Sequence, residues 1–76
     1  MTITIPKETL DRWKPLRGRD DIKALCKITG LSRSAVYYIL SNGKCTSKRI
    51  ASQVIRFHTK LEQEVNEITK QLEQEA

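Results

Sequence analysis

Two cysteines and one histidine are all the thiols and imidazoles that this 76-residue chain offers a metal. Cys26, Cys45 and His58 are too few and too far apart for a structural zinc site. Cys26 falls inside an apolar helical pattern, where a free thiol acts as a small hydrophobe; a Cys26–Cys45 disulfide is the lesser alternative. No apolar run approaches the ~20 residues needed to span a bilayer, so no membrane partner is expected. The opening Met-Thr-Ile-Thr-Ile-Pro has neither the basic start nor the apolar stretch of a secretory signal, and a cytosolic protein is expected. There is no glycine-rich phosphate loop and no nucleophile–base pairing beyond scattered residues. These absences argue against an enzyme. They also leave no cofactor and no small-molecule ligand to expect. Glycine and proline are missing from Lys44 to Ala76, so nothing in that stretch interrupts a helix.

What is present is charge, unevenly placed. The net charge of +5 comes from fourteen Lys or Arg and nine Asp or Glu. Residues 1–60 hold thirteen of the cations and four of the acids, a local charge of +9. Residues 61–76 hold Lys70 against Glu62, Glu64, Glu67, Glu73 and Glu75, a local charge of −4. The first part attracts a polyanion and the tail repels one. A basic surface that is merely solvated would have the same composition, so charge alone does not decide.

The pattern of the chain is helical. Thr2–Ile5 alternates Thr and Ile, as in a very short strand or an extended arm. Pro6 suits the first turn of a helix whose apolar side is Leu10, Trp13 and Leu16, and Pro15 ends it early. Leu16-Arg-Gly-Arg is a connector. Asp20 or Asp21 is placed to cap a second helix with Ile22, Leu25, Cys26 and Thr29 on one face. Gly30 follows, where a left-handed backbone is cheap, and Ser32 heads a third helix with a buried stripe of Val36, Ile39 and Leu40. Asn42-Gly43 stops it, and a short loop leads to Thr46-Ser47, either of which can cap the last helix.

The last helix carries Ile50, Val54, Phe57, Leu61, Val65, Ile68 and Leu72. Their steps of 4, 3, 4, 4, 3, 4 read as an eleven-residue repeat, about 3.67 residues per turn, and predict a straight or slightly right-handed pairing. From Ser47 to Glu75 such a helix would be roughly 40 Å long, more than a domain of this size spans. The expected fold is all-α: a small bundle of about four helices with a long C-terminal helix and a short N-terminal strand or arm. The division expected is residues 1–53 as one domain and 54–76 as a dimerisation element using Val54, Phe57, Leu61, Val65, Ile68 and Leu72. Two alternatives stand beside it. Thr2–Ile5 pairs with its symmetry mate as a ribbon, or the helix breaks near His58 and folds back. His58 is expected to be structural or on the surface.

The helical pair around Gly30 carries the functional reading. Leu31, Val36 and Ile39 hold the second helix down and leave Arg33, Ser34, Tyr37, Tyr38 and Ser41 outward at spacings of three and four. Leu25, Cys26 in the small-residue slot, Gly30, Leu31, Ser32, Val36 and Ile39 together resemble the helix-turn-helix of the Lac-repressor family and of phage Cro-type and repressor domains. Thr46-Ser47-Lys48-Arg49-Ile50 resembles the Ser/Thr-headed third helix of the Lac-like headpiece. The resemblance covers Ile22–Ser41 and its flank, about half the chain. It implies that Arg33, Ser34 and Tyr38 reach base edges in the major groove, Tyr37 the base or backbone boundary, and Ser32 a phosphate.

Arginine pairs bidentately with guanine, and tyrosine touches a thymine methyl or donates to phosphate. Tyr37 and Tyr38 lie ~100° apart on a helix, so one of them could pack inward, and Tyr38 is the better base contact. Backbone contacts are expected from Ser32, Lys23, Lys27, Ser41, Asn42, Lys44, Ser47, Lys48 and Arg49. Arg17 and Arg19 belong either to this footprint or to a connector.

Within these 76 residues there is neither the hinge nor the sugar-binding domain of Lac-type regulators, and Cro-like domains usually have five helices. The plan therefore looks like a self-contained phage or mobile-element regulator, a homodimer on double-stranded DNA in the bacterial cytosol or nucleoid. The rival class is a helical assembly adaptor, of the phage-packaging or antitoxin-like kind, that docks on a partner protein through the long helix.

Overall fold

The computed structural model describes residues 2–75. Among these the elements run β1 (Ile3–Thr4), α1 (Lys7–Trp13), a 3-10 turn (Lys14–Leu16), α2 (Arg19–Thr29), α3 (Arg33–Asn42), β2 (Lys44–Cys45) and α4 (Lys48–Glu75). The fold is a small all-α one with a two-stranded pair at its N-terminal edge.

Local chemistry explains most of these boundaries. Pro6 sits just outside α1 and its carbonyl accepts the Leu10 N–H at 3.1 Å. Pro15 has no N–H to continue the α pattern, and the chain tightens into the 3-10 turn there. Gly18 precedes α2, and its N–H donates to the Asp21 carboxylate at 2.7 Å, so Asp21 closes the helix start from inside the first turn. At the other end Gly30 takes φ 72° and donates to the Cys26 carbonyl. The Thr29 hydroxyl donates to the Leu25 carbonyl at 2.7 Å and accepts the Leu31 N–H at 3.3 Å, fixing the path into α3. Ser32 caps α3 by accepting the Ala35 N–H at 3.2 Å.

Gly43 ends α3 at φ 73° and does a second job. Its carbonyl accepts the Ile5 N–H at 2.7 Å, which lets β1 pair antiparallel with β2 in the register Ile3 to Cys45 and Thr4 to Lys44. A Cβ at this position would overlap the Ile5 carbonyl oxygen and meet Leu10 Cδ1 at 3.1 Å. The Ile3–Thr4 strand is therefore paired within its own chain along one edge. The stretch read as a loop after Gly43 contributes the other strand.

The core is drawn from the four helices, β2 and the residue after β1: Ile5, Leu10, Trp13, Ile22, Leu25, Val36, Ile39, Leu40, Cys45, Ile50, Ala51 and Val54. Cys26 and Cys45 are free thiols. The first turns of α4 complete this core, and the helix then runs unbroken for 28 residues, giving a molecule 47 Å long and 23 Å by 18 Å across. The break near His58 does not occur. Residue 53 lies in mid-helix, with Val54 and His58 buried beyond it, so the packed body extends past the 53/54 boundary.

The buried line of α4 also differs from the one expected. His58 is fully buried whereas Phe57 is only partly covered. With His58 in place of Phe57, and counted from Ala51, which is buried beside Ile50, the line runs Ala51, Val54, His58 and on through the half-buried Leu61 to the exposed Val65, Ile68 and Leu72, in steps of 3, 4, 3, 4, 3, 4. That is a seven-residue repeat, which favours left-handed pairing rather than the right-handed one.

Candidate nucleic-acid interface

Helix α3 has one buried side and one bare side. Val36, Ile39 and Leu40 anchor it in the core. Arg33, Ser34, Ser41 and Asn42 are exposed, and so are Tyr37 at 50% and Tyr38 at 55%. Both tyrosines face outward; neither turns in to pack. This is permitted by the spacing, because the three anchors cover less than half the helix circumference and 37 and 38 fall on the other side.

A groove flanks the ridge on each side. One, of about 560 Å³, lies between α3 and the N-terminal segment, and Lys7, Asp11, Lys14, Arg17, Tyr37 and Ser41 are among its lining residues. The other, of about 230 Å³, is lined by Leu31, Ala35, Tyr38, Ile39, Lys44, Thr46 and Ile50. Tyr37, Ser41 and Asn42 are thus brought together with cations of α1 and the 3-10 turn, and Tyr38 with Lys44. Lys7 and Lys14 were not among the expected contacts. Their spacing with Asp11 (i, i+4, i+7) places them on one face, and that is the signal that would have found them.

Other expected backbone contacts lie outside both grooves. Lys23 and Lys27 are exposed on α2, and Lys48 and Arg49 on the first turn of α4. Ser47 is half-buried and its hydroxyl accepts the Ile50 N–H at 3.5 Å. Ser32 Oγ is occupied as an acceptor by the helix cap, which leaves its O–H free to donate.

Behind the ridge a buried polar cluster joins α4 to the connector. The His58 ring stacks on Trp13 with centroids 4.3 Å apart and planes at 14°. His58 Nδ1 lies 2.7 Å from the Val54 carbonyl and Nε2 lies 3.1 Å from Arg17 Nη1. A carbonyl can only accept and a guanidinium can only donate, so the ring is neutral with its proton on Nδ1. Burial pulls the His58 pKa below its ordinary value, with the nearby Arg17 charge pushing the same way against the Val54 hydrogen bond. Burial also lowers the pKa of Arg17, opposed by Tyr37 and Asp21. Arg17 is therefore a brace inside the fold, reaching from the groove to His58, while Arg19 is exposed at the start of α2. Glu62 completes the brace by accepting from Arg12 Nε at 2.9 Å and from Trp13 Nε1 at 3.1 Å.

The residues expected to dimerise divide into two groups. Val54 is buried at 3% exposure and is taken up by its own core, while Phe57 is half-buried against that core. Leu61 is half-buried, and Val65, Ile68 and Leu72 are exposed at 42%, 58% and 63%. Among the described residues no helix is long and apolar enough to cross a membrane, and no group of three or more His, Cys, Asp or Glu is placed to hold a metal ion. No protein-family model, curated protein or solved structure matches this chain.

Proposed function

We propose that this chain is a sequence-specific double-stranded DNA-binding protein, a small transcriptional regulator of the phage or mobile-element kind acting as a homodimer in the bacterial cytosol or nucleoid. In this reading α2 and α3 are a helix-turn-helix and α3 enters the major groove. One observation carries it: α3 bears Arg33, Ser34, Tyr37, Tyr38 and Ser41 on its open side, with Lys7 and Lys14 beside it on one flank and Lys44 on the other. A ridge of side chains able to read base edges, bordered by cations on both flanks, suits a duplex better than a small ligand. The negative tail lies on α4, apart from that face.

The reading assigns roles. Arg33 reads guanine, Tyr38 and Ser34 touch base edges, and Tyr37 sits at the boundary with the backbone. Ser32, Ser41, Asn42, Lys44 and the newly found Lys7 and Lys14 hold phosphates. Selection of binding sites from a random duplex pool tests it. Wild type should enrich a two-fold site, and Arg33→Ala should lose preference at one base per half-site, worth about 1–3 kcal/mol. Absence of binding even at low salt would refute the proposal.

The exposed stripe Val65, Ile68 and Leu72 also favours a second reading, an assembly adaptor that docks on another protein through α4. That reading expects the isolated chain to be monomeric and indifferent to DNA.

A further inference from the structure

We infer that α4 pairs antiparallel with α4 of a second copy, through Leu61, Val65, Ile68 and Leu72, and that the acidic tail of each copy lies along the basic body of the other. This deepens the homodimer reading and rests on it.

The argument starts from the line of residues on α4. Ala51, Val54 and His58 are covered by the chain's own body, which reaches as far as the Arg12 and Trp13 bonds to Glu62. The same repeat continues past that point in Val65, at the edge of the body, and in Ile68 and Leu72 beyond it, all three exposed. A core line that runs on at constant period beyond the core is the seam of a helix pair, and a seven-residue period fits a second helix at the left-handed crossing. Where the body ends, a groove of about 260 Å³ opens between Arg12, Leu16, Glu62, Val65 and Asn66, aligned with the seam.

Charge selects the second copy and its direction. Residues 61–76 carry −4 and residues 1–60 carry +9. A parallel pair would lay the two negative tails side by side, within the ~8–10 Å over which charges at ordinary salt still repel. An antiparallel pair separates them. Setting Val65 against Ile68 of the partner subunit also sets Leu61 against the partner subunit's Leu72, so all four seam residues are used in one register. Lys60 then falls opposite Glu73 of the partner subunit. The partner's Glu75 arrives at the end of the body, on the side where Arg12 stands.

Sedimentation of the full chain over a concentration series, without DNA, tests the pairing. Wild type should reach the mass of two chains. Ile68→Asp should remain a monomer with unchanged helical content, because Ile68 is exposed at 58% and contributes nothing to its own core. Direction is read by oxidative cross-linking in a Cys26→Ser background, with the buried Cys45 left in place. A mixture of Lys60→Cys and Glu73→Cys chains should cross-link between the two variants, and Glu73→Cys alone should not. A wild type that stays monomeric, an Ile68→Asp chain that still dimerises, or efficient cross-linking by Glu73→Cys alone would each overturn the inference. A pair formed as described by a chain that binds no duplex supports the pairing and counts only against the DNA reading.

Discussion

Gly30 and Gly43 have nearly the same left-handed backbone, φ 72° and 73°, yet substitution to alanine should cost very different amounts. At Gly30 a Cβ would meet nothing within 4 Å. Only the conformational penalty remains, about 1–2 kcal/mol for a non-glycine residue in that region. At Gly43 the same penalty applies, and the new Cβ is driven into the Ile5 carbonyl. Relief requires β1 to move, which breaks the Ile5 to Gly43 hydrogen bond and loosens the buried Ile5 side chain. The lost bond adds about 0.5–1.5 kcal/mol. Partial exposure of Ile5 adds a further ~1–2 kcal/mol, taken from the 1.5–3 kcal/mol of a fully buried aliphatic side chain.

The sum is about 1–2 kcal/mol for Gly30→Ala and about 3–5 kcal/mol for Gly43→Ala. For a domain of this size each kcal/mol moves the melting temperature by roughly 4–8 °C. Thermal unfolding followed by circular dichroism should therefore show a drop of about 5–15 °C for the first and a larger one, about 12–40 °C, for the second. Within a chain lacking residues 1–5, where there is no carbonyl to strike, the cost of Gly43→Ala should fall to about that of Gly30→Ala. Equal losses at the two glycines, or no such fall on truncation, would sink the reasoning about the β1–β2 clasp.

Other outcomes follow from the same contacts. His58 is neutral in the fold and has its ordinary pKa near 6.5 when unfolded. The unfolded chain therefore takes up a proton first as pH falls. Stability should be full above that value and decline as pH drops below 6.5 toward the lowered folded value; a melting temperature flat from pH 7.5 to 5 in wild type would contradict the neutral stacked ring. Arg17→Met removes the donor to Nε2, and the same titration should become shallower, because the positive neighbour that opposes ring protonation is gone. In anisotropy titrations with duplex DNA, Lys14→Ala and Lys7→Ala should each weaken binding uniformly across sequences and reduce the salt slope by about one. Slopes identical to wild type would remove those two lysines from the interface.

Most of the local architecture was legible before any tertiary contact was known. The stops at Gly30 and Gly43, the Ser32 cap, the early end of α1 at Pro15 and the length of α4 are short-range effects of backbone freedom, missing donors and helix propensity. The buried stripes of α2 and α3 follow from period alone. Their open sides follow by subtraction, so Arg33, Ser34, Tyr37 and Tyr38 could be named as outward from spacing.

Three things needed the folded chain. A two-residue strand has no period to read, so the pairing of Ile3–Thr4 with Lys44–Cys45 depends on Gly43 having no side chain and on the arm reaching it. Phe57 and His58 are neighbours on one helix, and hydrophobicity favours Phe57 for the inside. The choice falls to His58 because Trp13 covers its face, Val54 accepts from one nitrogen and Arg17 donates to the other, and two of those partners are remote in sequence. That choice changes an eleven-residue repeat into a seven-residue one. Lastly, Lys7 and Lys14 become neighbours of α3 only because the 3-10 turn and the β1–β2 clasp hold the first helix beside it. Sequence determines what each segment can be, since caps and periods act over a few residues; which polar group is worth burying, and which cations share a face, depends on partners that only the assembled chain brings within reach.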